Sequence, residues 1–514
     1  MSQMPASMIH CPQPGSALEK QQFGELQANL AVMFERVFPN PNVARTVVVI
    51  PSFSLDAEEL AKVSGIYHYE ERMLCLLMLL QLPRTKVIYV TSQPIHPSII
   101  DYYLHLLPGI PGLHARKRLT VLSCDDSSSL PLTEKILARP RLLQDIRDAI
   151  ADPSSAHITC FNSTPLERTL AVQLNIPLYA CDPALSHLGS KSGSREAFRQ
   201  AGIDYPDGFE NLRDEEQIFE ALTELKMRHP DLRKAVIKLN EGFSGEGNAV
   251  FSYEGHPEKS ALKAWIRREL PLRIRFEAPT ENWVHFRHKF AQMEGIVECW
   301  IEGQNKRSPS VQCRINPLGE AVIVSTHDQV LGGPSGQVFL GCSFPADEAY
   351  RLEIQEAGLR VADVLKQNGA IGRLAIDFIS VKSGEEWKHY AIEINLRKGG
   401  TTHPFLMLQF LTNGAYDPES GLFRLPTGQA RYYYASDNLQ NTAYKGLNPD
   451  DLIDISVCNG LHFHGATQQG VLFHLMGALS EFGKLGVVCI GESYEQTKQL
   501  YDKTVDTLNT EISR

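Results

Sequence analysis

Apolar and polar positions alternate in two different ways along this chain. Between residues 44 and 185, compact apolar runs recur at intervals: RTVVVIPSF, KVIYVTSQ, RLTVLSC, HITCFNS and IPLYACD. The intervening stretches 55–63, 68–82 and 164–174 carry helical spacing. Strands apolar on both faces that alternate with helices predict a parallel α/β layer. Thr164-Pro165-Leu166-Glu167 supplies a helix start, with a capping hydroxyl, a proline in the first turn and a carboxylate near the positive end of the dipole. The first strand runs into Pro51-Ser52-Phe53-Ser54 with no G-x-G-x-x-G, so a dinucleotide site is not supported.

After residue 186 the pattern changes. Ser192–Ala201 and Glu215–Arg228 read as helices, Lys234–Leu239 as a strand and KLNEGFSGEGNAVF (238–251) as a glycine-rich hairpin. Residues 304–410 are strand-rich. Within them GRLAIDFISV (372–381) and WKHYAIEIN (387–395) alternate with period two around the polar segment 382–386, which predicts a β-hairpin. Near the end, VLFHLMGALSEFG reads as a helix, KLGVVCIG as a strand and Tyr494–Ile512 as a helix. The expected division is a tail (1–20), an α/β domain (21–185), a central domain (186–410) and a small α+β C-terminal domain (411–514). The central domain contains a glycine-rich subdomain at about 230–303 and the hairpin 372–397.

Composition narrows the class. A chain of 514 residues exceeds what one core organises, and about three domains is the prior. Net charge is −10 with no basic stripe, which argues against a nucleic-acid partner. The longest apolar run, MLCLLMLLQL (73–82), is too short to cross a bilayer, so no membrane partner is expected. MSQMPASMIHCPQPGS lacks the apolar core of a signal peptide, and the ten cysteines are scattered singly; both suit a reducing, cytoplasmic setting.

The chemistry concentrates in the predicted hairpin. It brings Asp377 close to Glu393, and Asn395 and Arg397 follow on the same strand face. Two carboxylates beside an amide oxygen suit Mg²⁺, a hard cation that takes oxygen ligands and leaves room for phosphate, with Mn²⁺ as an alternative. Arg397 carries paired donors for a phosphoryl or carboxylate group. The loop that starts at Gly242 and holds Ser244, Gly245 and Gly247 lets backbone N–H groups approach phosphate, and Lys238 stands on the strand that enters it. The apolar stretch from Val297 through Glu298, Trp300 and Ile301 to Gly303 offers a slot and backbone edge for a base. Lys191, in Gly189–Gly193, opens a helix and suits an anion. Taken singly, each of the last three is more often an ordinary turn, core strand or solvated lysine. His462, His464 and His474 fit no zinc spacing.

In order, Lys191, Lys238, the glycine loop, Glu298, Asp377 and Glu393-x-Asn395-x-Arg397 resemble the ATP-grasp superfamily of carboxylate–amine ligases. The phrases LGSKSGSREAFRQAGI, STHDQVLGGPSGQVFLGCSFPA, EINLRKGGTTHPF and GVLFHLMGALSEFGKLGVVCIG are similar to the pheganomycin-type peptide ligases. The resemblance implies a Rossmann-like pre-ATP-grasp domain, ATP-grasp subdomains and a small domain behind. It implies that Lys191 and Lys238 contact ATP phosphates, that the Gly242–Gly247 loop closes over them and that Glu298 with the Trp300 and Ile301 backbone reads adenine. By the same resemblance Asp377, Glu393 and Asn395 hold Mg²⁺, and Arg397 steadies the transferred phosphoryl group. Arg373, His327 and His403 are expected to contact the substrates, a small-molecule carboxylate and an amine; homodimers are common among such relatives. Cys299 departs from the pattern, since many relatives carry lysine there. The rival readings are a phosphotransferase on the same scaffold and a nucleotide sensor without chemistry.

Overall fold

The computed structural model describes residues 12–54, 60, 65–242, 247–278, 281–303, 305–332 and 338–513. The chain divides into two compact units. The first comprises Met1–Pro183, Asn448–Asp450 and Leu475–Phe482; the second comprises Ala184–Leu447, Asp451–His474 and Gly483–Arg514.

The first unit is built on four parallel strands, β1 (Arg45–Ile50), β2 (Thr85–Thr91), β3 (Leu119–Ser123) and β4 (Ala156–Cys160), in the order β3-β2-β1-β4. Val48, Ile50, Ile88, Val90 and Ile158 pack with Leu170 and Leu174 of the Pro165–Leu174 helix, so the sheet is buried as its uniform apolarity predicts. That helix starts with a full capping box between Thr164 and Glu167. Two expectations change. IPLYACD does not form a fifth strand and makes only an isolated parallel bridge, Ile158 to Leu178, because Pro177 has no N–H to extend a ladder. Ile66–Gln81, expected as part of a helix at 68–82, winds in 3₁₀ turns. The helix expected at 55–63 lies outside the described residues, Leu60 apart.

The second unit holds two sheets. The smaller has the order β5-β9-β6-β7-β8, from Gly208–Leu212, Lys234–Leu239, Asn248–Ser252, Arg275–Phe276 and Gly295–Cys299 as β5, β6, β7, β8 and β9. The larger has 11 strands among the described residues. Its central part runs β10 (Lys306–Arg307), β14 (Gly372–Ser383), β11 (Pro309–Ile315), β12 (Ala321–Gly332) and β13 (Val338–Phe344), with β15 (Glu386–Asn395) paired to β14. The sheet continues from β13 through Ala430–Gln440 to Lys484–Gly491. The hairpin of β14 and β15 turns at Gly384, whose φ of +66° is left-handed and favours glycine. The Arg351–Gln367 helix packs behind β11, where the Cys313 thiol reaches the Gly358 carbonyl.

The segment VLFHLMGALSEFG is not one helix. Gly470–His474 is a strand paired with Lys484–Gly491, followed by short helical turns at Met476–Ala478 and Leu479–Phe482. Every residue of the strand is buried, so no alternation was present to mark it as β. Among the described residues no helix is long and apolar enough to cross a membrane, and the nine described cysteines are free thiols.

Candidate nucleotide-phosphate site

The hairpin register sets Asp377 directly opposite Glu393, and Ser310 of β11 lies on the other side of Asp377. Asn395 Nδ2 donates to Asp377 Oδ2 at 3.0 Å, Gln329 Nε2 of β12 donates to Oδ1 at 2.9 Å, and the Ser310 hydroxyl also bonds to the carboxylate. Burial, then the adjacent Glu393, pushes the Asp377 carboxyl up to about 6. Burial alone would raise Glu393 as well. The Lys191 ammonium, with Arg397 and Lys238, outweighs burial there and holds that carboxyl below its usual range. Lys191 forms an ion pair with Glu393, which keeps 26% of its side chain exposed, so the pair opens to solvent and is not sealed in a dry core.

Lys191 begins the Lys191–Ala201 helix, which Ser190 caps through the Gly193 N–H. Asn240, just past β6, accepts from the Ser192 N–H and hydroxyl and so ties this helix start to the glycine loop's approach strand. Lys238 on β6 pairs with Glu298 on β9 at 2.5 Å, and Arg195 reaches the other Glu298 oxygen at 3.3 Å. Glu298 is 3% exposed, so its carboxylate is committed to these two cations. The Trp300 N–H already donates to the Lys234 carbonyl at 3.2 Å, which removes it from the donors expected to meet a base. The Ile301 carbonyl accepts from Lys306 at 3.4 Å. Lys306 lies over the Trp300 ring at 4.5 Å, and burial with the nearby Lys238 lowers its pKa.

Gly242 and Gly247 close the base of the loop. A Cβ on Gly242 would meet the Gly247 Cα at 3.2 Å, a tight approach that glycine permits. Ser244 and Gly245 lie outside the described residues. Arg373 shares the Asp377 strand face four residues earlier. The two histidines expected to meet substrate are both buried, and His327 lies cross-strand from Ser310, the neighbour of Asp377. His327 has no exposed surface, bonds to the Tyr433 hydroxyl and packs on Phe344; burial lowers its pKa to about 3. His403, in the Thr402–Thr412 helix, is 3% exposed and stacked on His474 at 4.3 Å. Gln329, Ser310, Arg195 and Lys306 escaped the sequence reading. Arg195 alone left a trace, four residues after Lys191 and hence on the same helix face.

The donor set fits a divalent cation with phosphate partners. Two carboxylates and an amide oxygen converge on one half-exposed strand face, all hard oxygen donors, with three cationic groups around them for the phosphates.

Comparison with known proteins gives the family. The family described as IQCH-like, ATP-grasp matches residues 183–270 and 272–419, and the PGM1 C-terminal domain matches 451–504. The chain is 30% identical over 459 residues to the L-propargylglycine–L-glutamate ligase of Streptantibioticus cattleyicolor, covering 88% of this chain and 91% of that one. It is 22% identical over 520 residues to IQ motif-containing protein H of Danio rerio, covering 91% of this chain but 49% of that relative, so it spans about half of it. Among solved structures, biotin carboxylase of Campylobacter jejuni in a nucleotide complex shares the fold at a TM-score of 0.55 and 14% identity, over 92% of this chain and 96% of that one. The ADP complex of N5-carboxyaminoimidazole ribonucleotide synthetase does so at 0.51 and 14%, over 91% and 97%. This chain belongs to the ATP-grasp superfamily of carboxylate–amine ligases. It is an ATP-dependent enzyme that forms carbon–nitrogen bonds.

Proposed function

We propose that the protein joins a small-molecule carboxylate to the amine of an amino acid or peptide by way of an acyl phosphate, and that the residues gathered around Asp377 carry this reaction. The observation that supports the reading is the cross-strand pair Asp377–Glu393, half-exposed and flanked by Lys191, Lys238 and Arg397. Asp377, Glu393 and Asn395 are the residues that hold Mg²⁺ or, alternatively, Mn²⁺. The bound ion supplies positive charge to the phosphate oxygens.

Lys191 and Lys238, now paired with Glu393 and Glu298, exchange those partners for phosphate oxygens when ATP arrives. The substrate carboxylate then attacks the γ-phosphate, the bond to ADP breaks, and Arg397 steadies the moving phosphoryl group. The amine attacks the acyl carbon of the mixed anhydride, loses a proton, and inorganic phosphate leaves. The Gly242–Gly247 loop excludes water while the anhydride exists. Trp300 and Ile301 frame the base. The name of the Streptantibioticus relative makes two α-amino acids, one of them L-glutamate, the first candidates. Tail, pre-ATP-grasp, ATP-grasp and C-terminal domains, a homodimer and a cytoplasmic location complete the reading.

The test is a screen of amino acids and short peptides, singly and in pairs, for ADP and phosphate release, with products identified by mass spectrometry. Release that needs an amine and yields an amide is the expected result. ADP with a phosphorylated product and no amine requirement would replace the ligase by a phosphotransferase. No ADP with any mixture would leave a sensor.

A further inference from the structure

The strand face that carries Asp377 continues past the carboxylates. β11 and β14 stay in unbroken register through three pairs on that face: Ser310 with Asp377, Gln312 with Ala375, and Arg314 with Arg373. The intervening Val311 and Cys313 point the other way, against Gly358 of the Arg351–Gln367 helix. Asn395 flanks Ala375 on one side and Ser325 flanks Gln312 on the other.

The two ends of this short run differ in charge. Carboxylates stand at one end. At the other, two half-buried arginines are directly opposed, and like charges in a cross-strand pair, with Cβ atoms about 5 Å apart, repel. Between the ends Ala375 presents only a methyl group. The donors beside it are buried without acceptors. Gln312 is 2% exposed and Ser325 is 0% exposed, and neither Gln312 Nε2, Ser325 Oγ nor Arg314 Nε has a hydrogen-bond partner among the described residues. Buried donors of this kind are costly unless something supplies an oxygen acceptor. A strand rise of about 3.4 Å puts the Arg373 Cα roughly 13 Å from that of Asp377, a span that an arginine side chain and a short substrate together can bridge.

We propose that this run forms a recess for the second carboxylate of a dicarboxylic amino-acid substrate. Arg314 and Arg373 neutralise it, the Gln312 amide and Ser325 hydroxyl donate to its oxygens, and the substrate chain lies over Ala375 between the two ends. A carboxylate accepts parallel N–H donors from a guanidinium and offsets the like charge of the opposed pair. The inference rests on the ligase reading above and names the substrate class that site selects.

Two measurements on the full chain test it and separate it from that reading. The first is calorimetric titration of L-glutamate, L-glutamine, L-aspartate and L-asparagine in the presence of Mg·ADP, which needs no turnover. At least one acid is expected to bind about tenfold or more tightly than its own amide, and Arg314→Gln is expected to erase that preference while Arg314→Lys keeps part of it. Mg·ADP affinity of each variant serves as the folding control. The second is ADP release with the same four compounds, each as carboxylate or as amine, where Arg314→Gln raises the KM of the acid selectively. Equal binding of acids and amides by the native chain overturns the recess, as does an Arg314→Gln variant that weakens both alike. If acids bind selectively but no mixture releases ADP, the recess stands and the ligase reading falls.

Discussion

The two units bury carboxylates in opposite ways. In the first, Glu167 is fully buried at the start of the Pro165–Leu174 helix. One of its oxygens accepts from the hydroxyls of Ser52, Ser54 and Thr133 at 2.8, 2.6 and 2.6 Å, and the other from the Thr164 N–H and hydroxyl at 2.8 and 2.6 Å. All these donors are neutral, and they saturate the group. In the second unit, Asp377 faces another carboxylate, and its pKa rises where that of Glu393 falls. A carboxylate that serves the fold is closed off by neutral donors. A carboxylate that serves a site keeps a like-charged neighbour whose repulsion a bound cation relieves.

The contrast breaks first at Asp377. Asp377→Ala and Glu393→Ala are each expected to lower ADP formation by about 10²–10³-fold while circular dichroism stays native, because each removes a proposed metal ligand and no apolar packing. Native-like ADP release from both variants would end the metal assignment. Glu167→Leu should do the reverse. Five donors lose their acceptor, so stability measured by urea unfolding should fall by about 3 kcal/mol, while the folded fraction binds ATP as before. A Glu167→Leu chain as stable as the parent would make the distinction untenable.

A smaller effect sharpens the picture within the first unit. Glu70 is buried, accepts from the Ser92 N–H and hydroxyl at 2.6 Å each, and is pushed by burial from 4.5 to about 7. Its folded pKa lies above its unfolded one, so its favourable contribution is complete below about pH 4.5 and is lost as pH rises through about 7. Between pH 5 and pH 8 the parent chain should therefore lose a few degrees of Tm that Glu70→Gln retains. Parallel pH profiles for the two chains would contradict the shift.

Much of the candidate site is legible because it is local. Alternation on either side of a short polar turn is enough to place Asp377 against Glu393, since a hairpin with a tight turn has little freedom of register. The capping box at Thr164 and Glu167 is likewise contained within four residues. The misreadings also have local causes. The uniformly apolar run from Val471 to Phe473 looks the same to a helix and to a buried strand, and Pro177 silences a ladder that its neighbours would support.

Other parts were decided by partners far away in the chain. Gln329 reaches Asp377 from two strands across, and the pair Arg314–Arg373 exists only because β11 lies beside β14. Glu298 became the hub of two cations because β6, β9 and the Lys191–Ala201 helix converge on it, and His327 is buried because Phe344 and Tyr433 pack around it. Residue order alone therefore determined the hairpin, its opposed acids and the parallel sheet, where periodicity and turn chemistry act over a few residues. Which strands lie side by side, and so which donors meet which oxygens, is set by burial of apolar area across the whole unit, and only the folded chain reveals it.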